Sequence, residues 1–257
     1  MPPILSAQQL QGVRERLQIA DQNIRNLDGL IAEFVDPLPF TNVKVEDGEP
    51  IIGEGQRDSW DRLQKASKEI PVPFAFSIRA GEIIHHLRSC LDHIAWQLAD
   101  PIKRVETPRR VQFPIILDWN NKNELSTYKR QTEFVTNPAA ETIIKKLQPA
   151  STKSPEDDHL WIIHDMDIID KHRELVLCLY VPRIQGPTRV TRDYAPIPNG
   201  YGTQMLIPLL GTAKVQADIK ISLNVAFAQF GQGKDAPVIK SLVGLRNTMR
   251  DVVAHFA

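Results

Sequence analysis

RAGEIIHHLRSCLDHIAWQLAD, residues 79–100, is an apolar helix with a titratable cluster written into it. Ile83, Leu87, Leu91, Ile94 and Leu98 recur at spacings of three and four, which predicts a buried helical stripe from about Phe76 or Arg79 to Ala99. Pro101 reads as its stop. A second stretch, HLWIIHDMDIIDKHRELVL, residues 159–177, carries Leu160, Ile163, Met166 and Ile169 on one helical face and then becomes β-prone over 175–181. Six of the seven histidines lie in these two stretches, and His255 is the seventh. Imidazoles and charges resist burial unless partnered, so this concentration marks the candidate site.

Working outward, Ser6 is a candidate N-cap for a long helix. Leu10, Val13, Leu17, Ala20, Ile24, Leu27, Ile31 and Phe34 form its heptad seam, and Asp36-Pro37 ends it. The seam serves either its own domain or a dimer. Residues 37–53 read as a hairpin turning at Asp47-Gly48. A basic loop with Lys103, Arg104, Arg109 and Arg110 leads into an expected strand at 111–117, where Pro114 suggests an edge or a bulge. Helices are expected near 122–135 and 139–147. Strict alternation of Ile219, Ile221, Leu223, Val225 and Phe227 predicts one strand. Val238, Leu242, Leu245, Met249, Val252 and Phe256 predict a last helix.

The order α, β, α, β, α, β, α lacks a regular βαβ rhythm. The expected fold class is α+β, a helical bundle packed beside an antiparallel sheet. The bundle comprises the long N-terminal helix, the central polar helix pair and the C-terminal helix. We read a single domain over 1–257. It contains a long amphipathic helix (1–36), a central helical region with the polar cluster (76–177), a mainly strand region (175–230) and a C-terminal helix (236–257).

Composition narrows the function. The chain has 257 residues, 42% hydrophobic and 24% charged, enough for a real core. Lys+Arg and Asp+Glu both total 31, so no global positive field attracts nucleic acid, and such binding needs a local patch. Cys90 and Cys178 sit in apolar runs and read as core thiols. No secretory leader and no membrane span are expected, which makes the cytoplasm the default compartment. There is no GxxxxGK[ST] phosphate loop, no Rossmann glycine fingerprint and no GxSxG elbow. Burial of Cys90 would raise its pKa and work against a Cys-His nucleophile pair with His93.

Helical geometry sorts the cluster. Glu82, His86 and His93 share a face, and Arg88 and Asp92 form an i, i+4 pair. Arg88 and His93 stand about 140° apart on an ideal helix, so they could flank a cleft without pointing along one line. In the second stretch His164, Asp167 and Lys171 lie together, as do Asp165 and His172. Arg88, Asp92, His93, Asp170 and His172 are expected to converge. One reading of that convergence is a buried polar network that only fixes helix register. A metal reading rests on E-x-x-H spacing at Glu82–His85 and Glu156–His159, with Glu82, His85 and His159 as ligands. An interaction module built on the seam and the basic loop is the non-catalytic alternative.

Arg88-Ser-Cys-Leu-Asp-His93 is an R-x4-H string, repeated at Arg250–His255. It resembles the signature of the HEPN superfamily, helical domains that include metal-independent, dimeric ribonucleases. That resemblance implies RNA as partner, no cofactor, and a homodimer through the N-terminal helix or the central helices. It implies His93 as acid/base, Arg88 as phosphate clamp and Asp92 as their orienting group. His172 would complete the catalytic set, with Lys171, Arg173 and His86 on the substrate. A longer pattern covers residues 81–98, the Phe-Pro-Ile of 113–115, and 160–173. It resembles a set of uncharacterised bacterial proteins that share an H-x-L-R-S-x-L-D-H helix and an I-D-K-H-R segment. This second resemblance implies that the two polar segments belong together and carries no activity with it.

Overall fold

The computed structural model describes residues 3–38, 42–46, 49–52, 56–57, 65, 67–173, 175–180, 216–220, 224–228 and 236–257. In chain order its elements are α1 (Gln11–Val35), β1 (Asn42–Glu46), β2 (Glu49–Ile52), β3 (Gln56–Arg57), α2 (Phe74–Leu98), α3 (Pro101–Glu106), α4 (Lys122–Thr132), α5 (Pro138–Lys146), α6 (His159–His172), β4 (Leu177–Tyr180), β5 (Gln216–Lys220), β6 (Asn224–Phe227), β7 (Ala236–Pro237) and α7 (Val238–Phe256). The fold class is α+β, with antiparallel pairing between strands.

The chain divides into two compact units. One contains residues 1–30, 73–177 and 226–257, and the other contains 31–72 and 178–225. In the second unit β1 and β2 pair antiparallel as expected, with Glu46 opposite Glu49; the expected Asp47-Gly48 turn lies outside the described residues. Its sheet runs β3-β2-β1-β5. Of the alternating run at 219–227, residues 221–223 lie outside the described residues, and its two described ends belong to different sheets. Gln216–Lys220 pairs with β1, whereas Asn224–Phe227 belongs to a separate sheet of order β4-β6-β7. Alternation identified extended chain but could not show that it changes partner.

The helical unit holds the candidate site. Ser6 caps the first turn as expected. Its hydroxyl accepts from the Gln9 amide, and Gln9 Oε1 accepts from the Ser6 amide, a reciprocal capping box. Leu10, Val13, Leu17, Ala20, Ile24 and Leu27 are buried within the chain itself, so the seam faces internal packing. Phe34 is only half-buried, and Val35 takes the inward position. α7 is held to α1 by Asp21, which accepts from both Arg246 and Arg250. The second R-x4-H string therefore spends its arginine on an ion pair.

Two expectations need correction. The polar helix ends at Leu98, before Pro101 as expected, but Pro101 then opens another helix. It is the first residue of α3, whose N-cap Asp100 accepts from the amides of Ile102 and Lys103 at 2.9 and 3.0 Å. The basic loop is thus a short helix followed by a 3-10 turn at Pro108–Arg110. Residues 111–117 are extended but join no sheet. Side chains replace the ladder. Phe113 N donates to Asp92 Oδ1 (3.0 Å), Ile116 N to Gln148 Oε1 (3.0 Å) and Leu117 N to Glu124 Oε2 (2.6 Å). These bonds satisfy backbone groups that would otherwise need a neighbouring strand.

Among the described residues no helix is long and apolar enough to cross a membrane. Cys90 is fully buried and Cys178 half-buried.

Candidate functional site at the seam of α2 and α6

Where α6 crosses α2, α2 presents a glycine, Gly81, in place of a side chain. A Cβ on Gly81 would overlap the Asp170 carboxylate, so glycine permits the close approach. Along that seam the buried Asp167 is the central acceptor. Its Oδ1 lies 3.0 Å from His85 Nδ1 and its Oδ2 lies 2.6 Å from Lys171 Nζ. Asp167 is 4% exposed, whereas His85 and Lys171 are about half exposed, at 54% and 51%. A buried carboxylate with an imidazole and an ammonium as hydrogen-bond partners is well compensated, and each partner keeps one side toward water.

Asp170 lies beside this group. Burial first, and then the charges of Asp167 and Glu82, push its pKa up, while His85 and Lys171 oppose the shift. The carboxyl therefore favours its protonated form more than an ordinary aspartate does.

A second group lies farther along α2. Arg88 Nη1 donates to Asp92 Oδ1 at 2.7 Å, and Nη2 donates to the Phe113 carbonyl at 3.2 Å. Asp92 Oδ1 also accepts from Phe113 N. Arg88 is buried, and its donors are directed at the protein's own backbone and carboxylate. The arrangement clasps the 111–117 segment to α2.

His164 of α6 sits in the field of both groups. Burial, and then Arg88, lower its pKa to about 4, with Lys171 adding to the fall and Asp167 and Asp92 opposing it. Its Nδ1 is buried without a hydrogen-bond partner, and the ring lies 5.8 Å from that of Trp161.

The expected convergence is therefore redistributed. The structure joins Arg88 to Asp92 and brings His85, Asp167, Asp170 and Lys171 together. His93 does not join them. With His86 it lies on the side of α2 that feels Arg16 of α1, and burial followed by the Arg16 charge lowers both imidazoles. Cys90, on the same side, approaches the Val13 carbonyl at 3.8 Å, and burial pushes its thiol up to about 12. The 140° separation along the helix explains why Arg88 and His93 diverge. His172 and Arg173 are exposed at the end of α6.

No family model, no curated protein and no solved structure matches this chain.

The metal constellation is not assembled. His159 Nδ1 lies 2.6 Å from Thr248 Oγ1 of α7, while His85 is bound to Asp167. Among the described residues no group of three or more His, Cys, Asp or Glu side chains could hold an ion. Sequence reasoning passed over the pairing of His85 with Asp167. The signal was present, since the 159–173 face already grouped Asp167 with Lys171. What was missing was the relative rotation of the two helices.

Proposed function

We propose that the α2–α6 seam is an acid–base centre for metal-independent cleavage of RNA phosphodiesters, with His85 in the role first given to His93. The observation that carries this reading is the His85–Asp167–Lys171 group. A carboxylate that accepts from Nδ1–H fixes the imidazole tautomer and leaves Nε2, on a half-exposed ring, as the proton acceptor. Nε2 would take the proton of a 2′-hydroxyl as its oxygen attacks the adjacent phosphorus. Lys171 has donors left beyond its bond to Asp167 and would hold the phosphate oxygens. Asp170, whose carboxyl takes up a proton more readily than an ordinary aspartate's, would be the group beside His85 to pass one to the departing 5′-oxygen. Arg88 and Asp92 would act at one remove by fixing the 111–117 segment. RNA as substrate rests on the likeness to HEPN ribonucleases, and His86, His172 and Arg173 are peripheral in this reading.

Cleavage of mixed RNAs in EDTA by the purified chain tests it. His85→Ala should lower the rate at least about a hundredfold, the usual contribution of a positioned acid/base group, and His93→Ala should leave it near wild type. No cleavage, or equal cleavage by His85→Ala, ends the reading.

One observation favours a non-enzymatic alternative: both oxygens of Asp167 are already engaged, Oδ1 across the seam with His85 and Oδ2 within α6 with Lys171. In that case the group is a cross-tie, and Asp167→Asn lowers stability with no activity to lose.

A further inference from the structure

A second cleft, of about 670 Å³, opens beside α4 and α5. Trp119 and Tyr128 meet there edge to face, with centroids 5.1 Å apart and planes at 81°. Lys145 Nζ lies 5.8 Å from the Trp119 centroid, and Lys129 also lines the cleft. Tyr128 is only 6% exposed, yet its hydroxyl has no hydrogen-bond partner. Burial, and then the nearby Glu141 carboxylate, push that hydroxyl up to about 12, so it keeps its proton and remains a donor. Glu141 lines the same cleft. An unmatched buried donor is costly, and a ligand acceptor would relieve it.

The chemistry of this lining selects a ligand class. A purely apolar molecule would leave Tyr128 and Glu141 unmatched. A bare anion would be repelled by Glu141 and would make no use of Trp119. A planar ring with an adjacent donor and acceptor, joined to an anion, answers all of these groups.

We propose that the cleft binds a nucleotide, its base stacked on Trp119 with the polar edge between Tyr128 and Glu141, and its phosphate at Lys145 and Lys129. The same chemistry is offered by a free mononucleotide and by one residue of an RNA strand. The site is read by binding alone and does not depend on cleavage at the seam.

The test is calorimetric titration of the full chain in EDTA with adenosine 5′-monophosphate, with ribose 5-phosphate and with a short 2′-O-methyl oligoadenylate, which cannot undergo 2′-hydroxyl attack. A base-bearing ligand should saturate one site, with ribose 5-phosphate at least about tenfold weaker, as loss of a stacked base predicts. Trp119→Leu should weaken binding about tenfold. Tyr128→Phe, which keeps the ring, should weaken it severalfold without lowering the melting temperature. Tighter binding of the oligomer than of the mononucleotide assigns the site to a strand, and equal binding assigns it to free nucleotide; both uphold it. Failure of both base-bearing ligands to saturate, ribose 5-phosphate binding as well as they do, or indifference to both substitutions overturns the proposal. Absence of RNA cleavage would leave this result standing.

Discussion

At Arg88, two neighbouring donors meet structural acceptors: Nη1 is spent on Asp92 and Nη2 on the Phe113 carbonyl. Removing the guanidinium strips a buried carbonyl of its donor and frees a segment that has no β-ladder. Arg88→Ala should therefore cost about 2–3 kcal/mol in urea unfolding, within the range for losing hydrogen bonds from a charged group. A phosphate clamp exposed to solvent would show almost no such cost, so a loss under about 0.5 kcal/mol would contradict the clasp. His164 gives a pH signature. Its folded pKa is depressed to about 4 by burial and by Arg88, against an ordinary value near 6.5. The unfolded chain then binds a proton that the folded chain refuses. Stability is full above about pH 6.5 and falls as pH drops toward about 4, by on the order of 2 kcal/mol. The His164→Phe form should lose most of that slope between pH 6.5 and 5 in thermal melts. If the slope persists unchanged, carboxylate protonation elsewhere is its source.

Among the elements, the α2–α6 crossing depends on one absent side chain. Gly81→Ala forces the Asp170 carboxylate aside and, net of the roughly 0.5–1 kcal/mol that alanine adds to a helix, should destabilise by up to about 1 kcal/mol. Gly29 offers a control of opposite sign, since nothing lies within 4 Å of a Cβ built there. Gly29→Ala in α1 should stabilise by roughly 0.5–1 kcal/mol through helix propensity alone. Chemical denaturation of the pair separates close approach from backbone entropy. Matching signs would mean that Gly81 makes room for nothing essential.

For the whole molecule, the helical unit is assembled from three separate pieces of chain. α1 and α7 contribute fully buried side chains, among them Leu10, Leu27, Leu242, Met249 and Phe256, and Leu5 N donates to Phe256 O at 2.8 Å. The polar segments at 73–177 therefore lack much of the unit's apolar stripe when taken alone. A fragment of residues 73–177 should show helical circular dichroism well below the full chain's and no cooperative melt. A sharp unfolding transition from that fragment would show that its own helices suffice.

What the sequence determined by itself was local and periodic. The 3–4 spacing of apolar residues marked α1, α2, α6 and α7, the Asp47-Gly48 pair marked the hairpin, and the crowding of histidines marked the two segments of the site. The five-residue offset put Arg88 and His93 about 140° apart on the helix, yet the sequence still pointed to one cluster holding both. Tertiary structure decided everything that depends on which face meets which. It paired His85 with Asp167, turned His93 toward Arg16, divided the 219–227 run between two sheets and gave residues 111–117 side-chain partners in place of a ladder. The physical reason is that periodicity specifies the inward face of an element but not the rotation of its neighbour. That rotation is set by contacts between residues distant in sequence, and here the close approach of Gly81 to Asp170 and the His85–Asp167 bond are among them.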